Sequence, residues 1–272
     1  MPKERLDKIL LERGFCSSRT RAQALIMSGD ILVADKVCDK AGTRVEIDAE
    51  IRLRGQELAY VSRGGLKLEY ALEEFDLKVE GRVAVDVGAS TGGFTDCLLQ
   101  RGVSSVYAVD VGYGQLAWKL REDPRVVNME RTNIRDLGSG ALDPSPDLAV
   151  IDASFISLEK VLPPTLELLQ PGADIVALVK PQFEVGKGKV GKGGIVRDPA
   201  LHQMVIDRVA QYAVALEMEV LATCQSPVLG AKGNREFLMH LARRGGNIFE
   251  GLSFGRNYCF NCRRTCASGG WL

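Results

Sequence analysis

The sequence predicts an α/β protein: a parallel sheet wound with crossover helices, preceded by a small α+β module. Short β-rich runs (RVAVDVGA, SVYAVDV, DLAVIDAS and ADIVALVKP) alternate with stretches of helical periodicity beyond about residue 61. The runs VAVDV and IVALV are apolar on both faces, as central strands covered on each side must be. Ahead of them the rhythm is different, with two helical stretches and a few short strands. A chain of 272 residues accommodates such a module of about 60 residues and a domain of about 180. The expected divisions are 1–60, 61–245 and an atypical tail over 246–272.

In the module, Leu6, Ile9 and Leu10, then Ala22, Leu25 and Ile26, recur at helical spacing over residues 5–27. Gly14 separates two helices, and Ser17 or Ser18 caps the second. ILVADKV reads as a hairpin, followed by a turn over 41–43 and a strand over 50–53. Lys3, Arg5, Lys8, Arg13, Arg19 and Arg21 lie in or between the helices, where a row of cations would meet phosphates. Glu4, Asp7 and Glu12 alternate with them, a pattern that a solvated face also produces. RLDKILLERG followed by SRTRAQALIMSGDILVADK resembles the S4-type RNA-binding domain, and the resemblance implies RNA binding by these cations.

Composition sets the outer limits. Thirty-five basic residues balance 35 acidic ones, so any nucleic-acid surface must be local. The start, MPKERLDKILLERG, lacks the apolar core of a signal peptide, and no apolar run approaches the roughly 18 residues of a membrane span. Seven cysteines, an odd number scattered mostly singly, suit a reducing compartment. A cytoplasmic protein without a membrane partner is expected.

The segment DVGASTGGFTDCLLQRG runs from a buried strand through a glycine turn into an amphipathic helix. Gly88, Gly92 and Gly93 let the backbone turn sharply and approach a ligand. The next strand ends in Asp110, where a carboxylate can accept from ribose hydroxyls. Ser90 stands where a dinucleotide fingerprint has its middle glycine, which favours a cofactor without phosphates. The segment resembles motif I of the S-adenosylmethionine-dependent methyltransferases, a Rossmann-like fold. That resemblance implies S-adenosylmethionine as cofactor, with Asp86, Gly88, Ser90, Gly92, Gly93 and Phe94 on its methionine side, Asp110 at the ribose and Asn133 near the adenine.

Four polar residues stand at element ends: Lys67 in SRGGLKLEYAL, Asp152 after LAVI, Lys180 before Pro181, and Glu236 after GAKGNR. Taken singly, a strand-end aspartate is often a helix cap and a lysine there often faces solvent. Strand carboxyl ends gather ligands in such sheets, so Asp152 and Lys180 should share the crevice of Gly88. Together the four resemble the Lys-Asp-Lys-Glu tetrad of FtsJ-like ribose 2′-O-methyltransferases. The contexts SRGGLKL, VIDASFISL, LVKPQFE and SPVLGAKGNREFL, with the S4-type module, resemble the TlyA family of ribosomal-RNA methyltransferases, whose members often carry the label haemolysin A. The resemblance covers roughly residues 2–241 and implies ribosomal RNA or ribosomal subunits as partner. Two lysines in one cleft would each disfavour the other's charge, suiting Lys180 to act as base or to stabilise an alkoxide, with Lys67 and Glu236 orienting the ribose.

GKGKVGKG nearly matches a phosphate-binding loop but has Gly193 at the Ser/Thr position that magnesium needs. It reads instead as a basic loop gripping RNA through Lys187, Lys189 and Lys192. Cys259, Cys262 and Cys266 lack a local fourth ligand, so no metal site is expected, and the tail reads as disorder or an unusual extension of the reading frame. A secreted pore-former should show a leader or membrane segment, and a non-catalytic RNA-binding factor should lack the glycine turn or the tetrad. Base methylation at an exocyclic amine would call for an NPPY-like motif where this chain has DASF.

Overall fold

The computed structural model of the chain describes residues 2–16, 18–53, 59–186, 188, 190–191 and 193–243. The N-terminal module contains β1 (Lys3–Arg5), α1 (Leu6–Glu12), α2 (Arg19–Met27), β2 (Ile31–Val33), β3 (Lys36–Val37), β4 (Arg44–Glu46) and β5 (Ile51–Leu53). Ser18 caps α2 by accepting from the Arg21 amide at 3.2 Å; the alternative cap, Ser17, lies outside the described residues. The β2–β3 hairpin turns on Ala34 and Asp35, both at positive φ, the conformation that matches the twist of the flanking strands. Leu6, Leu10, Ala22, Ile26 and Ile31 are fully buried and form the module's own core. The three-residue strands β1 and β4, paired antiparallel, were not anticipated, because KER and RVE hold a single apolar residue between them and give no strand pattern.

The larger unit follows as α3 (Gly64–Glu74), β6 (Val83–Val87), α4 (Gly93–Gln100), β7 (Ser105–Asp110), α5 (Trp118–Arg121), β8 (Val126–Glu130) and β9 (Leu148–Ile151). It is completed by α6 (Leu162–Leu168), β10 (Asp174–Val179), α7 (Pro181–Glu184), α8 (Pro199–Ala215), β11 (Met218–Gln225) and β12 (Phe237–Arg243). Seven strands form one sheet in the order β11-β12-β10-β9-β6-β7-β8. Strands β6 to β10 run parallel, and β12 lies antiparallel to both β10 and β11. Side chains alternate between two cores: Val85, Val87, Ile151 and Ile175 on one face, Ala84, Val106, Leu148 and Leu178 on the other with Leu68, Leu72 and Leu98 of α3 and α4. Each such buried aliphatic side chain stabilises the fold by roughly 1.5–3 kcal/mol.

From β6 the chain winds outward through β7 and β8, then returns to the other side of β6 to lay down β9 and β10. The winding therefore reverses between β6 and β9, and the carboxyl ends of these strands open a crevice there. Among the described residues no helix is long and apolar enough to cross a membrane, and no cluster of three or more His, Cys, Asp or Glu side chains could hold a metal.

Candidate active site

The crevice forms because β6 ends in a glycine. Gly88 has φ +89°, and a Cβ there would lie 2.8 Å from the Asp152 carbonyl oxygen, so only glycine lets the two strand-end loops come this close. Gly92, at φ +94°, starts α4, and a side chain on it would overlap Leu120 and Leu116. Its small size thus serves helix packing, and it does not line the cleft. Gly93 lines the cleft and lets α4 approach α3 closely, with Gly65 N and Ser62 against it.

The cleft has a volume of about 390 Å³, and its lining includes Lys67, Asp86, Gly88, Asp152, Ser154 and Lys180, with Ser90 and Phe94 from the glycine turn. Volumes of this order suit a small-molecule ligand. Asp86 is wholly buried on β6, and its Oδ2 accepts from the Thr95 amide at 2.9 Å and the Thr95 hydroxyl at 2.7 Å. Its Oδ1 is buried without a hydrogen-bond partner. Burial pushes the carboxyl pKa up to about 7 against the pull of the Thr95 hydrogen bonds, and the charges of Asp152 and Asp110 add to the rise. A cationic group beside Oδ1 would favour the charged carboxylate and offset the repulsion from Asp152 and Asp110.

Asp110 closes β7 and accepts from the Ser90 amide at 2.8 Å and the Gly112 amide at 2.6 Å. It therefore shapes the glycine turn. Asn133 caps a short 3₁₀ turn by accepting from the Arg135 amide at 3.1 Å. Neither residue is among those lining the cleft.

The four tetrad residues come together as two ion pairs. Lys67 of α3 donates to Glu236 Oε2 at 2.6 Å, and the two residues are 8 % and 2 % exposed. Glu236 sits against Gly230, where any side chain would overlap its carboxylate. Lys180, at the end of β10 and the start of α7, places Nζ 2.5 Å from Asp152 Oδ1 and donates to Ser154 Oγ at 2.7 Å. The sequence suggested lysines acting on each other; each is held instead by its own carboxylate.

Sequence reasoning missed two residues in the segment after β9 and one in α7. Ser154 is the hydrogen-bond acceptor for Lys180. Phe155 is 91 % exposed, has φ +63° and leans on Phe183 with ring centroids 5.0 Å apart. Glu184 is buried and receives the Ser157 hydroxyl at 2.7 Å, the Leu158 amide at 2.8 Å and Arg208 at 3.1 Å, tying the far end of this segment to α7. The available signal was DASF itself, a bulky aromatic set directly beyond a strand-end acid.

In the module the predicted cations divide into kinds. Asp7, fully buried, accepts from Arg5 through both oxygens at 3.0 and 2.9 Å, and from Arg19 and Gln23 at 3.0 Å each. The hydrogen bond from Arg5, joined by those from Gln23 and Arg19, overcomes burial and holds the Asp7 carboxyl far below the usual range. Lys8 pairs with Glu4 and Glu12 on the surface. Arg13 is turned inward to the carbonyls of Ala49 and Ile47. Lys3 and Arg21 have no ion pair among the described residues. Lys187, Lys189 and Lys192 lie outside the described residues, as do Cys259, Cys262 and Cys266. Where the basic loop returns, Asn234 binds Gly194 O and Val196 N at 3.0 Å each, two residues ahead of Glu236.

Comparison with known proteins gives this arrangement its context. Residues 60–243 match the model for an FtsJ-like methyltransferase, and residues 4–51 match that for an S4 domain. The chain is 48% identical over 238 residues to the 16S/23S rRNA (cytidine-2′-O)-methyltransferase TlyA of Mycobacterium tuberculosis, spanning 87% of this chain and 89% of that one. It is 42% identical to Hemolysin A of Brachyspira hyodysenteriae, over 87% of this chain and 98% of the relative. A solved structure from Streptococcus thermophilus, named as a hemolysin, superposes with a TM-score of 0.73 at 45% identity, covering 90% of each chain.

Proposed function

We propose, from the premise that this chain belongs to the FtsJ-like methyltransferase family and carries an S4 domain, that it transfers a methyl group from S-adenosylmethionine to a ribose 2′-hydroxyl of ribosomal RNA. The observation that carries the reading is the convergence on one cleft of the Gly88 turn, the unpartnered Asp86 oxygen and the two lysine–carboxylate pairs.

The residues present fit this cofactor. S-adenosylmethionine supplies an electrophilic methyl on a sulfonium, and it carries an ammonium as well. Asp86 Oδ1 offers an acceptor for the ammonium, and Gly88 offers a surface without a side chain. Asp110 at the end of β7 and Asn133 just beyond β8 are assigned to the ribose and adenine ends; both already accept from backbone amides and keep spare lone pairs.

For the acceptor, Lys180 is assigned to the 2′-oxygen, stabilising the charge that grows as the hydroxyl proton passes to solvent and the oxygen takes the methyl, while Asp152 balances the ammonium. Lys67 and Glu236 orient the ribose from α3 and the β12 turn. Fixing the oxygen in line with the methyl removes much of the barrier, because such chemistry is limited mainly by alignment. Phe155, projecting beside Asp152, offers a face on which a base can stack. The S4 domain and the loop bearing Lys187, Lys189 and Lys192 supply phosphate contacts.

The test is transfer of labelled methyl to purified ribosomal subunits followed by alkaline hydrolysis. A blocked 2′-oxygen leaves a labelled, alkali-resistant dinucleotide. Label recovered in mononucleotides, or no transfer at all, would refute the reading.

A further inference from the structure

We infer that Ser154 is a positioning residue of the methyl-transfer step, the group that sets the direction of the Lys180 ammonium; the inference rests on the role given above to Lys180. The tetrad pattern would assign that task to Asp152. The geometry points elsewhere. Lys180 Nζ and Asp152 Oδ1 are 2.5 Å apart as an ion pair, and Oδ1 is buried without a hydrogen bond. The contact supplies charge, and Coulomb attraction depends on separation, whereas a hydrogen bond depends also on alignment. The hydrogen bond that Lys180 does make goes to Ser154 Oγ at 2.7 Å.

An ammonium has three N–H groups in fixed tetrahedral relation. Pinning one of them on Ser154, with Asp152 drawing the nitrogen to one side, leaves few rotations by which the others can point. Ser154 lines the cleft and lies two residues beyond Asp152, so one short segment carries both the charge partner and the directional partner. That segment is held at its far end by buried Glu184, which takes the Ser157 hydroxyl and the Leu158 amide. Both ends of the segment are thus fixed to α7 and the strand end that precedes it. A serine hydroxyl also accepts from Lys180 while its own hydrogen remains free to donate, which an alanine or a second carboxylate could not do.

The experiment compares the full chain with Ser154→Ala, Ser154→Thr and Lys180→Ala, measuring single-turnover methyl transfer to ribosomal subunits, S-adenosylmethionine affinity by calorimetry, and RNA affinity. Loss of a hydrogen bond to a charged group predicts a fall in kcat of roughly 10- to 100-fold for Ser154→Ala. Both affinities should stay within about twofold, because the hydroxyl is asked to act on alignment and not on binding. Ser154→Thr, which restores the hydroxyl, should recover most of the rate. A Ser154→Ala rate within twofold of the parent overturns the inference, as does a loss that Ser154→Thr shares. A loss matched by an equal fall in cofactor affinity overturns it too, because the serine would then only hold the cleft together. If Lys180→Ala itself retained full activity, the role of Lys180 would be wrong and not merely that of Ser154.

Discussion

Two aspartates of this protein are equally hidden from solvent and electrostatically opposite. Asp7 in the N-terminal module and Asp86 in the cleft are both 0 % exposed. Asp7 is surrounded by Arg5, Arg19 and Gln23, and its carboxyl is held far down. Asp86 has Thr95 on one oxygen and nothing on the other, and burial carries its pKa up to about 7. In the module a buried charge has been used to fix two arginines whose side chains remain 40 % and 55 % exposed. In the cleft a buried carboxylate keeps one oxygen unpartnered, the oxygen that the proposed function assigns to the donor's ammonium. The contrast separates a carboxylate that organises a surface from one that lines a cleft.

The largest effect expected from breaking this contrast is at Asp86. Asp86→Asn keeps an acceptor for Thr95 but removes the charge that faces the donor's ammonium, so S-adenosylmethionine affinity should fall about 10- to 100-fold. The ligand-free fold should respond in the other direction. Because the folded pKa of about 7 lies above the ordinary aspartate value of 3.8, the folded state holds more protons between these values, and stability declines as pH rises through that window. The asparagine variant should therefore melt above the parent at pH 8, with the advantage vanishing toward pH 4. Calorimetric melting across that range, without cofactor, would show a parallel shift at all pH values if Asp86 were not the titrating group.

Asp7→Asn should act with the opposite sign. A depressed folded pKa contributes stability above the unfolded value near 3.8 and loses it as pH falls through the folded value. Since both arginines are substantially exposed, solvent discounts the effect, and the expected loss is about 1–2 kcal/mol at pH 7. Hydrogen exchange of α1 and α2 amides in the full chain reads it locally. Protection unchanged at pH 7 would mean that the guanidiniums are held by packing and not by the carboxylate.

These two residues also mark how far the sequence could be read. The winding of the sheet was legible because VAVDV and IVALV announce strands buried on both sides and Gly88 announces a close approach. The tetrad positions were legible because strand ends are where such sheets present side chains. What each lysine pairs with was not, since Lys67 and Glu236 are 169 residues apart and their meeting depends on where β12 inserts beside β10. The Lys180–Ser154 hydrogen bond and the positive φ of Phe155 are matters of local geometry, which residue identity does not encode. Among the module's cations, residue identity and spacing leave six equal candidates. It could not tell that Arg13 turns inward, because its acceptors are backbone carbonyls with no signature of their own.

That last distinction yields the smallest and most discriminating effect. If the Asp7 hub presents Arg19 to phosphates, Arg19→Gln should weaken RNA binding a fewfold, alike for all sequences, and lower the slope of log affinity against log salt by roughly 0.7–0.9. Arg13→Gln should leave that slope intact, because a guanidinium occupied by the carbonyls of Ala49 and Ile47 releases no counterions when RNA arrives. Its cost should instead appear as lower module stability, of order 1 kcal/mol for the loss of charge-assisted bonds to backbone. Binding titrations at four or five salt concentrations separate the two. Equal slopes for both variants would erase the line drawn between structural and RNA-facing arginines, and a reduced slope for Arg13→Gln alone would reverse it.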